Sequence, residues 1–145
     1  MLTVRPEQLQ VFQGVADDAF VERTVEYLRK NHADINVRLP SGEPTVGEIA
    51  DEQLRQMVRG GVARARRYGI QWESNLTAFV VLMFTAAPNF DQHPLIQLVL
   101  NSPQTPPESK IDRLWEDTTE ENWQAVEAAY DPAAWGWPAQ EEGER

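Results

Sequence analysis

Cysteine is absent from the 145 residues. That rules out disulfides and thiolate metal sites, and with them the disulfide framework of a small secreted domain. Histidine is nearly as scarce. His32 and His93 are the whole supply, too far apart for a His-x-x-x-His pair. Long apolar runs are missing too. The longest, Ala78 to Phe84, falls far short of the roughly 20 residues a membrane span needs. The opening Met1-Leu-Thr-Val-Arg-Pro-Glu lacks the basic stretch and apolar core of a signal peptide. A cytoplasmic protein that uses no membrane is therefore expected. Nor does the chain carry a P-loop, a Gly-x-Gly-x-x-Gly turn or a Gly-x-Ser-x-Gly elbow. The expectation is a protein that is not an enzyme and needs no cofactor or metal.

Positive charge is also in short supply. Thirteen Lys and Arg stand against 23 Asp and Glu, for a net charge of −10. Such a chain repels nucleic acid and anionic membranes and suits a partner with a basic surface. The same charge also serves plain solubility.

Strand signals are nearly absent, because no segment sustains apolar/polar alternation with β-branched residues. Helical spacing recurs instead. Pro6 opens a segment in which Leu9, Phe12 and Ala16 share a face, followed by Val21, Val25 and Leu28. This predicts one helix to about Asn31, long or broken near Gly14 and Asp17-Asp18. Residues 33–50, with turn chemistry at Leu39-Pro-Ser-Gly-Glu-Pro44, read as an exposed loop, to which Thr45–Ala50 could add one helical turn. Asp51 is a plausible N-cap for a second helix striped by Leu54, Met57, Val58, Val62 and Ala65. Tyr68-Gly69 ends it, with glycine in the left-handed position. Gly60-Gly61 costs that helix about 1 kcal/mol per glycine relative to alanine, which implies close approach of another helix.

From Gln71 to Ala86 the pattern is apolar on more than one face, the mark of a central helix. A short helix over Leu95–Leu100 lies between proline-rich connections. Thr105-Pro-Pro-Glu108 and Thr118-Thr-Glu-Glu121 both have the capping-box pattern, and each is followed by an apolar stripe that includes Trp115 or Trp123. The expected fold is all-α, a single irregular bundle of five to six helices over residues 1–132. A Trp-containing acidic tail, 133–145, is expected to be partly disordered.

Arg55, Arg59, Arg64, Arg66 and Arg67 lie on the second helix with no acid among them. They read either as a solvated face paired with acids from elsewhere or as a site for an anion or acidic partner. Asp91-Gln-His93 has the residues of an acid–histidine pair but no nucleophile to serve, so His93 reads as structural. Glu108, Asp112, Glu116, Asp117, Glu120, Glu121 and Glu127 read as a solvent face, since a di-metal bundle would need Glu-x-x-His. Trp135 and Trp137 must find cover, either on their own domain or on a partner. If a binding surface is to be named, it comprises Arg59, Arg66 and Arg67 with Trp135 and Trp137.

One ordered set of segments has a resemblance. It comprises Leu2-Thr-Val-Arg-Pro-Glu-Gln8, Phe20-Val-Glu-Arg23, Arg64-Ala-Arg-Arg-Tyr-Gly-Ile70, Leu82-Met-Phe84, Pro88-Asn-Phe-Asp91 and Pro94. Together these resemble a family of small bacterial proteins from type VI secretion effector gene clusters. The resemblance runs from Met1 to about Trp115. The loop Asn36–Glu48 is longer than the family pattern, and the Trp-containing acidic tail is particular to this chain. The resemblance carries no catalytic residue. It implies a chaperone, co-chaperone or adaptor whose partner is a secreted effector or that effector's adaptor. Two rival expectations remain: an immunity protein that neutralises a cognate toxin, and a small-anion-binding enzyme built on the arginines. Oligomeric state is open.

Overall fold

The helical periodicities become six α-helices in the computed structural model, which describes residues 6–135, with side chains from Asp17 onward. They are α1 (Pro6–Asn31), α2 (Asp51–Arg67), α3 (Glu73–Thr85), α4 (Pro94–Leu100), α5 (Lys110–Asp117) and α6 (Glu120–Ala128). The protein is an all-α bundle, without a β-strand among the described residues. No helix among them is long and apolar enough to cross a membrane.

α3 is the hub, packed against α2, α1 and α5. It buries Leu76, Phe79, Val80, Leu82, Met83 and Phe84, which is why its sequence is apolar on more than one face. Phe79 and Phe90 are fully buried with ring centroids 4.8 Å apart. Each contributes roughly 1.5–3 kcal/mol by leaving water. Trp72 is not part of this core. It precedes α3 as the N-cap residue and is half exposed.

α1 runs unbroken through Gly14 and the Asp17-Asp18 pair. The two aspartates cost little helix because each meets an arginine of α2. α2 starts one residue earlier than expected: Ala50 is the N-cap, and Asp51 sits in the first turn. A carboxylate there complements the helix dipole. Gly69 ends α2 with φ +89°, a conformation that favours glycine. The close approach implied by Gly60-Gly61 is real at Gly61 alone. A Cβ there would lie 2.6 Å from Met83 Sδ and 3.1 Å from Val80 Cγ2, whereas Gly60 faces open space.

The helical turn allowed for within Thr45–Ala50 is present as a 3-10 turn over Val46–Glu48, but residues 33–46 are a correction to the expected exposed loop. They form a small hairpin, with Val37 N–H donating to Pro44 O at 2.7 Å and Val46 N–H to Ile35 O at 2.9 Å. Val37, Leu39, Val46 and Ile49 are buried. The segment is too short and proline-punctuated for its apolar residues to read as a strand. Arg29 holds the return leg, donating to the carbonyls of Val46, Gly47 and Ile49 and to Asp51 at the start of α2.

The two capping boxes also differ from expectation. Thr105 caps nothing; a 3-10 turn over Pro107–Ser109 leads into α5 instead. The second box forms one residue on, between Thr119 and Asn122. Thr118 is occupied in closing α5: its hydroxyl donates to Leu114 O and accepts from Trp123 Nε1.

Packing continues past the expected boundary at residue 132. Pro132–Trp135 makes a 3-10 turn that buries Trp135. Its ring lies 4.7 Å from that of Phe84, and its Nε1 donates to the Tyr130 hydroxyl at 3.0 Å. The same hydroxyl accepts from Arg38 N–H and donates to Arg38 O, so it spends its one donor and both acceptor sites. The rest of the expected tail, residues 136–145 with Trp137, lies outside the described residues, as do the side chains of Leu9, Phe12 and Ala16.

Candidate functional site

The arginines of α2 meet acids at almost every position. Arg66 makes a two-pronged pair with Asp17 at 2.9 and 2.7 Å. Arg59 reaches Asp18 at 3.1 Å. Arg55 is held between Glu22 of α1 and Glu52 of its own helix. The Arg66 guanidinium holds the Asp17 carboxyl below the usual carboxylate range, and Asp17 raises Arg66 in turn. Asp17, Asp18, Val21, Arg59, Val62 and Arg66 line a groove of about 320 Å³ between α1 and α2. Its cations are already matched by its own acids. Arg67 is exposed and has no ion-pair partner among the described residues. Of the expected binding residues, then, the structure brings Arg59 and Arg66 together in a neutralised seam, leaves Arg67 exposed and outside it, and buries Trp135 on its own domain.

Arg64 does something different. It pairs with the fully buried Asp91 at 2.7 Å and donates to Pro88 O. Tyr68 also donates to Asp91, at 2.9 Å, and Gln97 ties the hydroxyl of Tyr68 to the carbonyl of Asp91. Burial, reinforced by Asp91, pushes the Tyr68 phenol up to about 12. Asp91 is therefore engaged by Arg64 and Tyr68. His93 instead caps α4 by accepting from Leu95 N–H at 3.1 Å. The sequence neighbours Asp91 and His93 thus have separate structural jobs.

Lys110, the first residue of α5, is buried and donates to Tyr68 O at 2.7 Å and Leu100 O at 2.5 Å. These carbonyls end α2 and α4, where helix dipoles are negative, so two helix C-termini stand in for a counter-ion. Burial lowers the Lys110 pKa. No buried side-chain nitrogen or oxygen among the described residues lacks a partner. Nor is any group of three or more His, Asp or Glu among them placed to hold a metal.

The outer face of α5 and α6 is built on other terms. Ile111 and Leu114 face the core, and Trp115, one position on, is 56% exposed. Its ring leans on that of Trp123 at 5.8 Å, and Trp123 in turn lies 6.2 Å from Phe90. An exposed indole is thereby braced from behind by a column of aromatics that ends in the core. Asp112 lies one turn before Trp115 and Glu116 directly after it. Glu120 and Glu127 stand three before and four after Trp123. All four are exposed and none has an ion-pair partner among the described residues. Asp112 and Glu116 also line a groove of about 330 Å³, together with Gln104, Thr105, Ser109 and Arg113. Arg113, its one cation, is turned to Asp117 at 3.4 Å.

No protein-family model, curated protein or solved structure matches this chain. The candidate site therefore rests on geometry. From sequence, the acids of α5 and α6 read correctly as a solvent face, but Trp115 read as core because it adjoins the Ile111–Leu114 stripe. The available signal was one neighbour: at helical spacing Trp115 shares its side with Asp112, one turn before it.

Proposed function

We propose that this protein is a non-enzymatic, protein-binding accessory factor, specifically a chaperone, co-chaperone or adaptor for a type VI secretion effector. The observation that carries the protein-binding part is Trp115, half exposed and braced on Trp123 within a surface of unpaired carboxylates. Tryptophan is among the residues that most often anchor protein interfaces, where a rigid, pre-positioned ring loses little entropy on binding. The secretion context rests on the resemblance of the segments Leu2–Gln8, Phe20–Arg23, Arg64–Ile70 and Pro88–Pro94.

Deleting the gene in the native host tests the role. Effector export or effector level is expected to fall while growth is unchanged. Export and level both at wild-type values would sink the proposal.

The same acidic face also suits a cognate toxin with a basic surface, which makes an immunity role the second reading. Growth rescue of a toxin-expressing cell would favour it; binding without rescue favours the chaperone. A small-anion site on α2 is the weakest reading, because Arg55, Arg59 and Arg66 already carry carboxylates. A thermal shift with phosphorylated metabolites tests it: absence of stabilisation near physiological ligand concentrations counts against it.

A further inference from the structure

We propose that the outer face of α5 docks an arginine-bearing segment of the partner protein, with a guanidinium over Trp115 and a second basic side chain in the groove beside Asp112 and Glu116. The inference rests on the protein-binding reading above and names the surface and the chemistry of what fills it.

Three observations converge. The first is the exposed, aromatic-braced indole of Trp115, which offers a flat π-face to solvent. The second is charge. Asp112 and Glu116 sit on either side of Trp115 in the chain and line one groove, while Glu120 and Glu127 flank Trp123 on α6. The third is the absence of an internal answer to that charge. Elsewhere Asp17, Asp18, Glu22, Glu52, Glu73 and Asp91 are each met by an arginine of the same chain, while Glu26, Asp34, Glu43, Glu48 and Asp131 are unpaired among the described residues but scattered over separate segments. On this face the only pair among the described residues is Arg113 with Asp117.

Arginine fits better than lysine. Its planar guanidinium stacks on an aromatic face and still donates edge-on to carboxylates, whereas an ammonium is a strongly hydrated point charge. The protein makes the same pairing internally, where the Arg38 guanidinium lies 4.0 Å over the Tyr130 ring. Nucleic acid and anionic membranes are repelled by the same carboxylates.

The test uses the full chain and a fluorescein-labelled Arg-Gly repeat peptide, read by anisotropy at physiological salt. A Glu-Gly repeat serves as the control peptide. Trp115→Ala is expected to weaken binding by about tenfold or more, the loss typical of a removed interface anchor. Asp112→Asn with Glu116→Gln is expected to do the same. Glu26→Gln with Asp34→Asn removes equal charge from another exposed part of the surface, and is expected to change affinity less than about twofold. Circular dichroism of each variant confirms its fold.

Equal losses in the two charge-neutralised variants would mean attraction to net charge alone and would overturn the proposal. So would full affinity in Trp115→Ala, or no binding of the arginine peptide at all. The parent reading fails separately. A host partner retained at wild-type level by Trp115→Ala overturns this surface and leaves the accessory role standing. An unchanged deletion strain sinks the role but leaves the peptide result intact.

Discussion

On α2, Arg55, Arg59, Arg64 and Arg66 each hold a carboxylate, and in every case at least one partner comes from outside the helix. On α5, α6 and the turn before them, Glu108, Asp112, Glu116, Glu120, Glu121 and Glu127 hold no cation among the described residues; Asp117 alone is paired. In sequence α2 is the conspicuous charged element, because its arginines stand out in an acidic chain. In space it is the quieter one, since its charge is consumed in seating α1 and the Pro88–Gln92 segment. The acids that look like ordinary solvent-facing residues carry the unspent charge, and an exposed tryptophan stands among them. Charge type is legible from one chain; charge pairing is a property of the fold.

The comparison can be strained hardest at the buried end of the α2 network. Asp91→Ala would strip Arg64 and Tyr68 of their shared acceptor and leave a mostly buried guanidinium without a counter-charge. A loss of about 3–5 kcal/mol is expected by chemical denaturation. A loss below about 1 kcal/mol would mean that Arg64 finds another partner and that the network is not structural.

Trp135→Ala comes next. It removes the ring packed on Phe84 and the donor to Tyr130, for an expected loss of about 3 kcal/mol. A near-neutral result would return Trp135 to the list of residues free to meet a partner.

A pH series sharpens the same contrast without disturbing partner binding. Tyr68 is raised from 10 to about 12, so its contribution is fully present below pH 10 and is lost as pH climbs toward 12. Lys110, lowered by burial, acts with the opposite sign just below its ordinary value of 10.5. Comparing the wild type with Tyr68→Phe isolates the phenol: the alkaline fall in stability should be shallower in the variant. Parallel curves would contradict the assignment.

The smallest stability effects are expected at the two surfaces themselves. Trp115→Ala should cost about 1–2 kcal/mol, since only the half of the side chain packed on Trp123 is lost from cover. Arg66→Ala removes a half-exposed pair, worth no more than about 1 kcal/mol. The two substitutions should then separate by function, with the partner lost in the first and retained in the second.

Much of the architecture was legible beforehand. The stripe Leu54–Ala65, the all-round apolarity of Leu76–Phe84 and the stop at Gly69 each name one outcome, because helical period and glycine chemistry are local. The hairpin was not legible: Val37 and Leu39 lie in a short stretch punctuated by Pro40 and Pro44, and nothing local announces that it pairs back on itself. The second capping box misled by one register because Thr118 and Thr119 compete for the same role and only the end of α5 decides between them. The site was the least legible part. Nothing local distinguishes Arg66, which meets Asp17 across two helices, from Arg67 beside it. Nor does anything local place Trp115 outside a stripe to which Ile111 and Leu114 belong.

The most direct test of the account is a side-by-side capture from the native host, with the amount of the co-purifying protein quantified by mass spectrometry. The baits are the wild type, an α2 variant carrying Arg59→Ala, Arg66→Ala and Arg67→Ala, and an α5 variant carrying Trp115→Ala and Glu116→Gln. The account predicts that the α2 variant keeps its partner at the wild-type level and that the α5 variant loses it. A partner lost with the arginines and kept without Trp115 would contradict it.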